Sequence, residues 1–251
     1  MLEMKDVVSG YGKTEILHGI NFKAEKGKIT SVIGCNGCGK SKLVKTALGM
    51  LPLTSGEILL GDRSVIEMKQ NEIAQTAAYL SQGRNVPDIT VGRLVLHGRF
   101  PYLSYPRKYG KDDFRIAAEA MAKTDITDLA ERPLNELSGG MRQKAYIAMA
   151  LAQQSPIIFM DEPTTYLDIG RQMKLAKIIR ELADNGKTVV LVLHDILLAL
   201  KISDSVAAMK DGQILFSGSP SELLKSGVIR EIFGIEIKSV ETPDGLQYYY
   251  D

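Results

Sequence analysis

Three short β-type runs stand out along the chain: Thr30-Ser31-Val32-Ile33, Ile157-Ile158-Phe159-Met160 and Thr188-Val189-Val190-Leu191-Val192-Leu193. Each is too apolar to leave either face in water, which predicts central strands of a parallel sheet covered on both sides. Between them the period changes. Leu43, Val44, Ala47, Leu48 and Leu51 recur at helical spacing after the first run, and Met173 to Leu182 repeats that pattern before the third. Strands alternating with amphipathic helices predict an α/β core.

Two regions depart from this alternation. Residues Leu2 to Ile29 read as an antiparallel β layer, with turn signals at Tyr11-Gly12-Lys13 and Glu25-Lys26-Gly27-Lys28. Between Asn85 and Asn135 strand signals vanish. There a helical stretch, Asp113 to Thr124, follows the Pro- and Tyr-rich segment Arg99 to Lys111 and predicts an inserted helical subdomain. The expected organisation is residues 1–84 for the β layer and the first part of the core, 85–135 for the insertion, and 136–251 for the rest of the core and the tail. Low-complexity tracts and solenoid-period repeats are absent from the sequence.

A chain of 251 residues can bury about three-quarters of its unfolded surface, enough for a substantial core. The formal net charge of +1 with 24% charged residues gives no basis for nucleic-acid binding or for electrostatic attraction to a membrane. The first residues, Met1 to Asp6, lack the apolar run of a secretory signal, and the most apolar segment, Val189 to Leu200, is broken by His194 and Asp195. A soluble, cytoplasmic protein is expected. Its two cysteines, Cys35 and Cys38, are too few for a disulfide scaffold.

The strongest chemical signal is Gly34-Cys35-Asn36-Gly37-Cys38-Gly39-Lys40-Ser41, which fits G-x-x-x-x-G-K-[ST] between a buried strand and a helix. Glycines let backbone N–H groups close around phosphate oxygens, and the helix N-terminus adds positive potential. Lys40 would reach the β- and γ-phosphates, and the Ser41 hydroxyl would ligate Mg²⁺. The core is therefore read as that of a P-loop nucleotide hydrolase. Cys35 and Cys38 also form a C-x-x-C pair at a helix N-terminus, where a thiolate is stabilised, so a redox or metal role is an alternative use of the loop.

Further along, Leu137-Ser138-Gly139-Gly140-Met141 precedes a helix from Arg142 to Gln153, and Ile157 to Met160 ends in Asp161-Glu162. Thr165-Tyr166-Leu167-Asp168 and His194 follow. In this order the motifs resemble those of the ATP-binding-cassette ATPases over nearly the whole length. That resemblance implies an ATPase in which Tyr11 stacks on adenine and Gln82 senses the γ-phosphate and Mg²⁺. It makes Asp161 a holder of Mg²⁺, Glu162 the general base and His194 the residue that contacts the γ-phosphate and positions water. His18 and His97 read as structural or surface residues. The family pairs two cassettes head to tail, so Ser138, Gly139 and Gly140 would complete the ATP site of a second copy, with Asp168 at the interface.

Gly98-Arg99-Phe100-Pro101-Tyr102-Leu103, the Thr164 to Ile169 segment and the compact tail resemble the subfamily that powers importers of iron-siderophore complexes, haem, cobalamin and related chelates; relatives also carry oxyanions. The resemblance implies two membrane-spanning permease subunits, docked through an insertion bearing Arg93, Arg99, Arg107 and Lys108, and an extracytoplasmic substrate-binding protein. The subunit itself would be peripheral, on the cytoplasmic face of the membrane. Lys42 departs from the family, which has Thr there; Cys35 replaces a common Pro and Met141 the usual Gln. Lys42 either points away along the helix or crowds the nucleotide. In the latter case the chain would be a nucleotide-gated docking module with little hydrolysis.

Overall fold

A computed structural model of the chain describes residues 1–12, 14–81, 86–165, 167–242 and 245–251. Strands β1 (Leu2–Tyr11) and β2 (Thr14–Ala24) form an antiparallel pair, followed by the fully buried β3 (Ile29–Gly34) and helix α1 (Lys40–Ala47). Strands β4 (Leu53–Leu60) and β5 (Arg63–Ser64) return to β1, giving a sheet of order β2-β1-β4-β5. The antiparallel layer expected from Leu2 to Ile29 thus draws two further strands from beyond the phosphate loop.

Helix α2 (Gln70–Thr76) leads into β6 (Ala77–Leu80). The insertion holds α3 (Val91–His97), a 3-10 turn at Phe100–Tyr102 and α4 (Lys111–Lys123), and both helices pack on α5 (Gly139–Ala152). The chain then alternates through β7 (Ile157–Asp161), α6 (Ile169–Asp184), β8 (Thr188–Val192), α7 (Ile196–Ile202) and β9 (Ser205–Lys210). It closes with β10 (Gln213–Gly218), α8 (Pro220–Lys225), α9 (Val228–Phe233) and a hairpin of β11 (Ile237–Thr242) and β12 (Gly245–Tyr250). The central sheet has the order β10-β9-β3-β8-β7-β6, parallel throughout except for β10 against β9.

Alternate residues of the central strands enter different cores. Phe159, Val190 and Val192 pack toward α1 and the antiparallel sheet, whereas Ile158, Met160, Val189 and Leu191 pack toward α5, α6 and α7. This two-sided burial is why these strands show no hydrophobic alternation. Ser31, one of two buried polar side chains in β3, meets the Ser203 hydroxyl at 2.6 Å. Because β3, β7 and β8 run parallel, their carboxyl ends share one edge, where open α/β sheets place ligand-binding loops.

Candidate active site at the carboxyl ends of the central strands

The turn from β3 into α1 depends on its glycines. A Cβ on Gly34 (φ +155°) would lie 2.3 Å from the Met209 carbonyl oxygen and 2.7 Å from the Cys38 sulfur. Gly39, which caps α1 with φ +111°, holds a conformation that side chains avoid. Lys40 is buried, and its ammonium donates to the carbonyl oxygens of Gly34 at 2.7 Å and Cys35 at 3.0 Å. No acidic residue stands in the first turn of α1. The loop therefore combines a helix N-terminus with an ammonium group, a cradle suited to an anion. Its neighbours Asn36 and Gly37 form the exposed crest.

Asp161 ends β7 on the same edge, 2% exposed. Its Oδ2 accepts a hydrogen bond from the Tyr79 hydroxyl at 3.2 Å, while its buried Oδ1 has no hydrogen-bond partner. Burial pushes the carboxyl pKa up, against the opposing pull of the Ser41 and Tyr79 hydroxyls and the Lys40 charge. An orphaned carboxylate oxygen beside a serine hydroxyl is a donor set that fits a hard divalent cation such as Mg²⁺. Among the described residues no trio of His, Cys, Asp or Glu forms a protein-only metal cage.

Glu162 follows with φ +52°, a left-handed conformation unusual for a side-chain-bearing residue. It is fixed there because its N–H donates to the Val192 carbonyl at 3.0 Å, tying the end of β7 to the end of β8. Its Oε2 accepts from the Thr165 hydroxyl at 3.3 Å, and its Oε1 meets Nε2 of His194 in a close hydrogen bond. Residues 32 apart in sequence are thus brought together as an acid–imidazole pair. Tyr79, which bonds to Asp161, was missed by sequence reasoning, and Thr165, named there only as part of its motif, was given no contact with Glu162. The one signal for Tyr79 is a hydroxyl-bearing ring in a strand paired with β7.

Tyr11, 51% exposed, ends β1 at the rim. The Lys42 ammonium donates to its hydroxyl at 3.1 Å and lies 4.9 Å from the ring centroid. Lys42 therefore leans out to the rim. Gln82 and Tyr166 fall outside the described residues. Cys35 is exposed, its thiol donating to the Ile232 carbonyl at 3.2 Å, and Cys38 is buried, its thiol pKa raised by that burial; both are free thiols. His97 bonds to the Arg93 carbonyl at 2.7 Å, and His18 lies 3.8 Å from Glu15.

A second set of expected residues gathers elsewhere. Ser138 caps α5, its hydroxyl accepting from the Met141 N–H at 3.4 Å, with Gly139 exposed beside it. Gly140 lies against the Arg171 guanidinium, which a Cβ there would approach to 2.4 Å and push aside. Asp168 caps α6, accepting from the Arg171 N–H at 2.9 Å and pairing with Arg171 Nε at 3.2 Å. Arg171, unnoticed in the sequence, thereby joins the Ser138–Gly140 turn to Asp168.

Residues 17–165 match the family model described as ABC transporter. The petrobactin import ATP-binding protein FpuD of Bacillus anthracis is 40% identical over 244 residues, covering 96% of this chain and 89% of that relative. An inward-facing structure of metal-chelate type superposes with a TM-score of 0.86 at 25% identity, covering 100% of this chain and 96% of that one. The dimeric cassette MJ0796 gives a TM-score of 0.78 at 27% identity, covering 88% and 99%.

Proposed function

The chain belongs to the ATP-binding-cassette transporter family, and from that premise we propose that it hydrolyses ATP to power import of an iron-siderophore or related metal chelate. The observation that carries the ATPase assignment is the convergence of a phosphate loop, an orphaned buried carboxylate and a Glu–His pair on one edge of the sheet. The cargo class rests on the petrobactin relative and the metal-chelate-type neighbour.

In this reading the amides from Gly34 to Ser41 and the Lys40 ammonium hold the phosphate chain. Lys40 exchanges its two loop carbonyls for phosphate oxygens. Tyr11 takes the adenine face, with Lys42 beside it. Ser41 and Asp161 would hold Mg²⁺, with Gln82 expected nearby, and the bound ion would supply charge neutralisation of the phosphates. Glu162 Oε1 takes a proton from the attacking water, whose oxygen bonds to the γ-phosphorus as the bond to ADP breaks. His194 orients that water and the γ-phosphate, and Thr165 keeps the Glu162 carboxylate turned toward it.

One chain carries one phosphate loop and one Ser138–Gly140 turn, so the working unit is a head-to-tail pair in which each turn completes the other copy's site. Asp168 lies at that junction. Two permease subunits, served by an extracytoplasmic substrate-binding protein, dock on the pair from the membrane. Among the described residues no helix is long and apolar enough to cross a membrane, in keeping with a peripheral subunit on the cytoplasmic face.

Phosphate release measured for wild type and Glu162→Gln tests the motor. The variant is expected to lose about 10²-fold or more while still binding ATP. Equal release by the two proteins would sink hydrolysis at this site and leave a nucleotide-gated docking module.

A further inference from the structure

Three segments meet at a buried arginine outside the active site, and a fourth is tied to them through Gln153. Arg99, expected on the docking surface of the insertion, is instead buried, 8% exposed, because its guanidinium turns inward to Asp113 and the end of α5. Its Nε donates to Asp113 at the start of α4 at 3.0 Å, and its Nη1 donates to the Ala152 carbonyl, the last residue of α5, at 3.0 Å. The guanidinium also lies 4.1 Å from the Tyr102 ring centroid. Tyr102 donates to the next carbonyl of the α5 end, Gln153, at 2.8 Å. The Gln153 side chain in turn reaches Ala77, the first residue of β6, at 3.3 Å. Close approach is built in, since a Cβ on Gly98 would lie 2.3 Å from the Met149 carbonyl oxygen.

Helix α5 has no basic residue in its own last turn. Arg99 supplies the cation that its carbonyl end favours, from a different segment of the chain. The other end of α5 carries the Ser138–Gly140 turn. We propose that Arg99, with Asp113 and Tyr102, is a positioning node that fixes the tilt of α5 and so aims the Ser138–Gly140 turn at the partner copy's nucleotide.

Helix α5 has 14 residues, about 21 Å at 1.5 Å per residue. A tilt of about 3° at the anchored end moves the far end by about 1 Å, a misplacement that can cost about a hundredfold where alignment is required. The residues of the node lie outside the phosphate loop, so each chain's own grip on nucleotide is unaffected by them. The inference rests on the reading that the turn completes a second copy's site.

The test uses full-length protein carrying Glu162→Gln, with ATP-dependent dimerisation followed by sedimentation. Adding Arg99→Gln is expected to raise the dimer dissociation constant about tenfold or more, with monomer affinity for a fluorescent ATP analogue unchanged within about twofold. Arg99→Lys keeps the charge and loses the fork, so it falls between the two. If Arg99→Gln does not fold, Tyr102→Phe, which removes one hydrogen bond to the end of α5, must weaken dimerisation in the same direction at unchanged analogue affinity. Unchanged dimerisation in the folded variants, or analogue affinity lost in parallel, overturns the node. Failure of the Glu162→Gln parent to dimerise at all overturns the underlying head-to-tail reading instead.

Discussion

Lys42 carries a charge where α1 least welcomes one. The first turn of a helix exposes positive potential, no acidic residue stands there, and Lys40 already adds an ammonium. Lys42 relieves part of this by resting on Tyr11, hydroxyl and ring together. A bound nucleotide would relieve the rest, since its phosphates bring several negative charges to the loop. Lys42→Thr is therefore expected to weaken ATP binding about three- to tenfold at low salt, and by less at high ionic strength, when titrated by fluorescence at two salt concentrations. Tighter binding by the variant would mean that Lys42 obstructs the site. Residues of this kind mark the limit of legibility. Ser41, Asp161 and Glu162 stand in local motifs that the sequence displays. The Lys42–Tyr11 contact spans 31 residues, and the Arg171 seat under Gly140 joins two separate loops, so no local pattern announces either.

At the scale of elements, α4 is held to the rest of the insertion by Asp113. Burial raises the pKa of this carboxyl, but the Gly110 N–H and the Arg99 guanidinium outweigh it and hold the value below the usual range. A carboxyl with a depressed folded pKa stabilises the fold above its unfolded value, near 4, and that stability is lost as pH falls through the folded value. Asp113→Asn should thus cost about 1 kcal/mol at pH 7. It should also flatten the fall in thermal stability between about pH 5 and pH 3. An acid limb as steep as wild type would show that Asp113 is not held ionised by its neighbours. The elements themselves were unevenly legible. Strands β3, β7 and β8 could be read because both faces are buried. Strand β4, largely exposed over its first half, and the tail hairpin, exposed along most of β11, carry too little apolar signal to betray their pairing. The helix expected from Arg142 to Gln153 begins at Gly139, because the Ser138 hydroxyl caps two glycines that propensity alone would exclude.

For the whole molecule, a net charge of +1 gives little long-range pull toward any partner, so docking must come from a local patch. The insertion provides one. Tyr105 is 97% exposed, Phe114 57% and Phe100 41%, and the Arg107 guanidinium lies 4.7 Å from the Phe100 centroid. Tyr109 meets Phe114 edge-on, with centroids 6.4 Å apart at 70°, which stiffens the segment between them. Exposed aromatics interleaved with arginine are the side chains that dominate protein interfaces, and they are costly to leave in water on a lone subunit. None of them belongs to the phosphate loop or the Glu162–His194 pair. Replacing Tyr105 and Phe114 together by serine should leave phosphate release by the isolated protein within about twofold of wild type, because neither touches the site. The same change should weaken co-purification with the membrane subunits by about tenfold or more, the effect of losing one anchor residue. Co-purification at the wild-type level would move the docking surface away from this patch, whereas loss of basal hydrolysis would mean that the insertion is coupled to the site even without its partners.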